Sequence, residues 1–156
     1  MIKKDSNIIW SIVHFNDLSI DQLFDILELR TEVFVVEQDC PYQEVDQKDK
    51  ESFHVMAYAN NMELIAVARI LPAGISYEEV SFGRVAVKEN YRGKGIAHVL
   101  NDRLISFIRS RLLSDKIRIS AQSHLLSFYE KHGFKKVSEE YLEDDIPHIE
   151  MLLSPN

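Results

Sequence analysis

The chain is poor in the residues that staple or break structure. Five glycines and four prolines in 156 residues exclude a collagen-like or low-complexity chain. One cysteine, Cys40, excludes an internal disulfide and a cysteine-built zinc site, and it suits a reducing compartment. No apolar run approaches the roughly 20 residues of a membrane-spanning helix. Met1 to Asp5 is not followed by the apolar core and small-residue cleavage site of a secretion signal. These absences predict a cytoplasmic chain with no membrane segment. Basic residues are outnumbered as well: 18 Lys and Arg against 25 Asp and Glu give a net charge of −7. Without a basic stripe, nucleic acid is not an expected partner. The six histidines show no metal-ligand spacing, so no metal site is expected.

What is present is ordinary for a globular protein, 46% hydrophobic and 28% charged residues. The length suits a single domain spanning 1–156, able to bury roughly two-thirds of the surface its unfolded form exposes. The acidity has two readings. It serves solubility, or it marks an acidic pocket that attracts a cationic amine.

Ile8 to Phe15 reads as a first strand. Ser19, with Gln22 three residues on, matches a capping box and opens a helix. Leu23, Leu27, Arg30 and Phe34 follow at helical spacing, with Ile26 and Val33 beside them. Arg30 is anomalous on that stripe. Either its stem packs while its head reaches water, or it pairs with a carboxylate across the fold. Glu37 to Lys50 is a polar, acidic loop. Ser52 to Ala59 and Glu63 to Leu71 read as strands joined at Asn60-Asn61, because Asn tolerates positive φ. Glu79 to Lys88 reads as a fourth strand, interrupted by Gly83. Gly95 to Arg111 is the clearest helix, with Ile96, Val99, Leu100, Leu104, Phe107 and Ile108 on one face around Arg103. A strand at Ile117 to Ala121, a short helix from His124 to Lys131 closed by Gly133, and two terminal strands complete the chain. Strands clustered before the central helix predict an α+β, three-layer fold: a mixed, mostly antiparallel twisted sheet flanked by helices.

Residues 84 to 97, Arg-Val-Ala-Val-Lys-Glu-Asn-Tyr-Arg-Gly-Lys-Gly-Ile-Ala, run from a β-branched strand through a two-glycine turn into a helix. The first N–H groups of a helix have no intrahelical acceptor, and the dipole makes that end positive. A pyrophosphate can take several of those N–H bonds. Gly93 and Gly95 remove Cβ atoms that would hold phosphate oxygens away. Arg92 and Lys94 add positive charge, and no acidic residue sits in the helix's first turn. Alone, the segment reads equally as a glycine-rich turn that starts a helix.

Arg-x-x-Gly-x-Ala after a Val-x-Val strand resembles the acyl-CoA motif of the GNAT acyltransferase superfamily. Phe128-Tyr129-Glu130-Lys131-His132-Gly133-Phe134, about 35 residues downstream, is similar to that superfamily's second signature. Leu29 to Asp46, Gly83-Arg84-Val85, Ala121-Gln122 and Glu143-Asp144-Asp145-Ile146-Pro147-His148-Ile149 resemble its ElaA-like branch. The resemblance runs from about residue 10 to 152. It implies the GNAT fold, acetyl-CoA as co-substrate, and transfer to a small-molecule or peptide amine.

The resemblance also implies roles. Arg92, Gly93, Lys94, Gly95, Ile96 and Ala97 would hold the pyrophosphate. The backbone of Val85, Ala86 and Val87 would pair with the pantetheine arm, and an N–H near Val85 would face the thioester oxygen. Phe128 joins the cofactor-contacting residues, and Tyr129 would protonate the departing thiolate; both also read as packing residues of a short helix. Some relatives carry a glutamate base on the fourth strand, where Ser81 stands here. Glu37, His54 and His148 are the remaining base candidates, each also readable as a structural residue. Arg30 and Arg69 are read either as ligands of an acceptor carboxylate or as members of a structural ion pair. Two other readings stay open: a non-catalytic acyl-CoA-binding module, and an autoinducer-synthase-like enzyme suggested by Arg30-x-x-Val33-Phe34. Exposed edges in this fold often dimerise, which keeps a homodimer open.

Overall fold

The computed structural model describes residues 7–155. Met1 to Ser6 and Asn156, the ends of the expected domain and the segment read for a secretion signal, lie outside the described residues.

Four strands form an antiparallel sheet in sequence order: β1 (Ile9–His14), β2 (Phe53–Tyr58), β3 (Leu64–Leu71) and β4 (Ser81–Val87). All eight residues of β3 are buried, as expected of a central strand covered on both faces. The covers are α1 (Ile20–Arg30) and α2 (Ile96–Arg111). Alternate strand residues divide between them. Met56, Val67 and Ala86 pack with Ile26 and Leu29 of α1, whereas Val55, Ala57, Ala66 and Ala68 pack with Leu100, Leu104 and Ile108 of α2. Arg103 leaves the apolar face of α2 by placing its guanidinium 4.9 Å from the Trp10 ring.

The Ser19 capping box forms in both directions, at 2.9 and 3.0 Å. The helix it opens does not continue as an α-helix to Phe34. It changes at Thr31 into a π-helical segment, Thr31–Glu37. Such segments are rare and re-aim the side chains that follow. Here Val33 stays in the core while Phe34 and Gln38 turn to a cavity. The Asn60-Asn61 turn also differs from expectation. Met62, not an asparagine, takes the positive φ of 68°, and Asn61 instead accepts a hydrogen bond from the Glu63 N–H at 3.1 Å.

The C-terminal strands β5 (Ile117–Gln122), β6 (Lys135–Lys136), β7 (Tyr141–Glu143) and β8 (Ile146–Leu153) form a second sheet around β8. Three strands therefore follow the short helix α3 (Leu126–Lys131), where two were expected. The additional break is a tight turn at Asp144 and Asp145, both at positive φ, 50° and 64°. Two successive positive-φ residues match the twist of a hairpin. Gly133 ends α3 at φ 95°, and a Cβ there would stand 3.0 Å from the Leu153 side chain.

The two sheets meet at one parallel bridge, Val80 to Ile117, with the Arg118 N–H on the Val80 carbonyl at 3.0 Å. Beyond it no ladder joins β4 to β5 among the described residues. On its other edge β4 carries a bulge. Val67 faces Ala86 and Arg69 faces Gly83, so Ala68 alone opposes Arg84 and Val85. The irregularity expected at Gly83 thus lies at Arg84, whose φ is 51°.

Candidate active site

The parted strands β4 and β5 wall a cavity of about 290 Å³. Ser81 to Val85 line one side and Ile119 to Gln122 the other, with Tyr129 of α3 between them. Phe34, Gln38 and Tyr42 approach from the π-helical segment and its loop, and Glu143 and His148 from the last hairpin.

At the far end of β4 stands the glycine turn. Gly93 and Gly95 lie at φ 77° and 83°, where any other residue would be strained. A Cβ on Gly93 would meet nothing within 4 Å, so its requirement is conformational rather than steric. Gly95 caps α2 without a side-chain bond, and no acidic residue follows in the first turn. The N–H groups that open α2 therefore have no side-chain cap, and the helix dipole makes that end positive. Arg92 is anchored beside them: its Nε donates to the Val87 carbonyl at 2.8 Å and a terminal nitrogen pairs with Glu37 at 2.7 Å. The Lys94 ammonium lies 5.3 Å from the Tyr91 ring centroid.

The first turn of α2 is tied to α3 through aromatic contacts. Ring nitrogens of His98 and His132 lie 2.9 Å apart, and Phe128 sits against His98 with centroids 4.7 Å apart. His132 also reaches Asp102 at 3.3 Å. These contacts tie the start of α2 to α3 and so to Tyr129, one residue beyond Phe128. Tyr129 is 6% exposed and packs against Phe82, Phe128 and Phe134. Burial pushes its phenol up to about 12, so it stays protonated at neutral pH.

The three base candidates occupy different surroundings. Glu37 is paired with Arg92 and His54 is buried behind the loop, its Nε2 2.9 Å from the Asp49 carbonyl. Burial lowers the His54 pKa, and the Asp49 carbonyl only partly opposes that. Neither lines the cavity; His148 does. Its Nδ1 lies 2.7 Å from the Ile146 carbonyl. A carbonyl only accepts, so Nδ1 carries hydrogen and, in the uncharged ring, the lone pair is on Nε2.

The acidic loop is not a free acidic surface. Arg30, 1% exposed, pairs with Glu44 and takes Asp49 at 2.8 and 3.1 Å. Arg69 takes Asp46 at 2.6 Å and Asp49 at 2.9 Å, and Arg84 takes Glu44 at 2.7 Å. Three arginines and three carboxylates thus neutralise one another, and Tyr42 adds a hydrogen bond to Glu44 at 2.7 Å. Of the two readings of Arg30 the carboxylate pairing is the observed one, and Arg69 is likewise an ion-pair member. The charge of Glu44, Asp46 and Asp49 is therefore taken up within the fold. Two further carboxylates, Glu143 and Asp144, line the cavity, and among the described residues neither pairs with a lysine or arginine.

A family model described as the acetyltransferase (GNAT) domain matches residues 16–155. Protein ElaA of Escherichia coli is 40% identical over 144 residues, covering 91% of this chain and 94% of that one. A UPF0039 protein of Schizosaccharomyces pombe is 40% identical over 149 residues, covering 95% and 98%. The crystal structure of an acyl-CoA N-acyltransferase from Pseudomonas aeruginosa superposes with a TM-score of 0.90 at 42% identity, covering 94% of this chain and 99% of that one. With that sequence identity, and with the parted strands and glycine turn described above, the chain belongs to the GNAT acetyltransferase family, in its ElaA-like branch.

Proposed function

We propose that the chain is an acetyl-CoA-dependent N-acetyltransferase that moves the acetyl group directly to an amine in a ternary complex. The observation that carries this reading is the gap between β4 and β5, with a glycine-built anion turn at one end and Tyr129 in its wall. The residues present suit coenzyme A. The N–H groups of Ile96, Ala97 and His98 face an anion position at the start of α2, flanked by Arg92 and Lys94. Among the described residues the β4 edge toward β5 forms no ladder past the Val80 bridge. Apart from the Val87 carbonyl, which Arg92 Nε engages, that edge of Val85 to Val87 can take an extended amide-bearing arm much as it would a further strand. Coenzyme A supplies the activated thioester; the chain supplies position and protons.

Within that arrangement the bulge at Arg84 breaks the regular ladder beside Val85, which lines the cavity, and the Val85 N–H is the donor we assign to the oxyanion. Tyr129 donates a proton to the departing thiolate. His148, with Nε2 unoccupied by its Ile146 bond, takes the proton from the incoming amine. Glu37 serves the reaction indirectly, by holding Arg92 at the phosphate turn.

Thermal unfolding with and without coenzyme A tests the reading. Millimolar coenzyme A is expected to raise Tm of the wild type, because a ligand that binds only the folded state stabilises it. Arg92→Gln should weaken coenzyme A roughly tenfold, as befits the loss of one charge-assisted contact. No stabilisation of the wild type, or equal stabilisation of both proteins, would contradict the assignment.

A further inference from the structure

The part of the cavity wall made by the β7–β8 hairpin carries a second arrangement. Glu143 closes β7, and the tight turn at Asp144 and Asp145 brings it back beside His148 of β8. The Ser120 hydroxyl of β5 donates to Glu143 Oε1 at 3.0 Å and accepts from the Tyr141 hydroxyl. This fixes one carboxylate oxygen and leaves the other, Oε2, 3.8 Å from His148 Nε2. That separation is too long for a hydrogen bond. His148 is itself only 8% exposed, and Ile146 engages its other nitrogen. Two acceptors therefore face each other in a cavity wall, one charged and one a buried ring nitrogen, with no direct bond between them. No lysine or arginine pairs with Glu143 among the described residues, in contrast to the neutralised loop opposite.

We infer that Glu143 Oε2 and His148 Nε2 form a binding site for a primary ammonium, and that the acceptor is an aliphatic amine that arrives protonated. A nitrogen about 2.8 Å from each acceptor fits across a gap of this width, since those three distances close a triangle. An ammonium has three hydrogens, two for these acceptors and one to spare. Glu143 binds the cation; His148 then takes one of its protons and leaves an amine lone pair. That nitrogen forms the C–N bond at the thioester carbon, and the C–S bond breaks as the thiolate receives the Tyr129 proton. The hydrogen shed by the nitrogen on forming the amide restores the phenol. One ammonium and one acyl-CoA yield an amide, the free thiol and one proton, released from His148 to water. An arylamine, uncharged at neutral pH, would gain from Glu143 only a hydrogen bond that a glutamine oxygen also offers.

This inference rests on the acyltransferase reading, and calorimetry separates the two. Coenzyme A is titrated first into the wild type and into Glu143→Gln, which retains an oxygen for Ser120. Then 1,4-diaminobutane and aniline are titrated into each coenzyme A-saturated protein. Coenzyme A should bind both proteins equally, because the partners of Glu143 are Ser120 and His148 and not the glycine turn. Diaminobutane should bind the wild type and weaken roughly ten- to a hundredfold in Glu143→Gln, while aniline is indifferent to the change. If coenzyme A binds and diaminobutane binds neither protein, or binds both equally, the ammonium site is wrong and the acyltransferase reading stands. If both amines weaken alike, the substitution has reshaped the cavity and the charge assignment is wrong. If coenzyme A binds neither protein, both fall together.

Discussion

Tyr129→Phe should reduce acyl transfer by roughly 10²- to 10⁴-fold while leaving coenzyme A affinity and Tm nearly unchanged, the range expected for loss of a positioned general acid. The substitution removes one oxygen from a residue whose ring packs against Phe82, Phe128 and Phe134. A packing role would survive it; an acid role would not. With its pKa raised to about 12 by burial, the phenol is a weak acid for an ordinary thiolate. The same burial disfavours a bare thiolate, so both pKa values move in one direction and the transfer remains accessible. The check is thiol release from acetyl-CoA with an amine that the wild type acetylates. Turnover within about twofold of the wild type would remove Tyr129 from the mechanism.

Asp49→Ala should destabilise the fold by about 3–5 kcal/mol, the cost of leaving buried charge without its partner. Asp49 is 3% exposed and bonds both Arg30 and Arg69, each at least 95% buried. Urea unfolding would show a lower midpoint at unchanged slope. A shift below 1 kcal/mol would mean that the arginines find water or other carboxylates when Asp49 is gone. The same group responds to pH. Burial raises the Asp49 carboxyl, but hydrogen bonding and charge from Arg30, then from Arg69, outweigh it, and the pKa falls below 3.8. The folded state thus binds this proton less readily than the unfolded chain. Its stabilisation is full above the unfolded carboxylate pKa and is lost as pH falls through the lower folded value. His54 acts earlier. Burial lowers its pKa below 6.5, so the unfolded chain gains protons first and stability begins to decline below about pH 6.5. Acid unfolding should therefore start near there and steepen below about pH 4.

Which of these features could be read from the sequence depends on how local their causes are. The capping box at Ser19, the strand at β3 and the apolar face of α2 follow from neighbours within a few residues, and all three appear in the structure. The glycine pair before α2 was equally legible, because positive φ and a helix start are local properties. Arg30 stood out as anomalous, but its partners lie 14 and 19 positions away, in a loop whose path no periodicity records. The pairing of that loop with three arginines, which cancels its charge, was unreadable for the same reason. His54 and His148 look alike in sequence. One faces a loop carbonyl because β2 lies inside its sheet, and the other lines the cavity because β8 pairs with β5, which borders the gap. Glu143 was the deepest omission. Its proximity to His148 depends on a two-residue turn with aspartates at positive φ, where asparagine and glycine are the usual signals.

The central claim is that the gap between β4 and β5 and the glycine turn before α2 receive one acyl-CoA molecule together. Amide hydrogen exchange, with and without saturating coenzyme A, tests it most directly. The account predicts slower exchange at Val85 to Val87 and at Ile96 to His98 in the same titration, with the same apparent Kd. Binding of coenzyme A that leaves either segment exchanging at its free rate would contradict it.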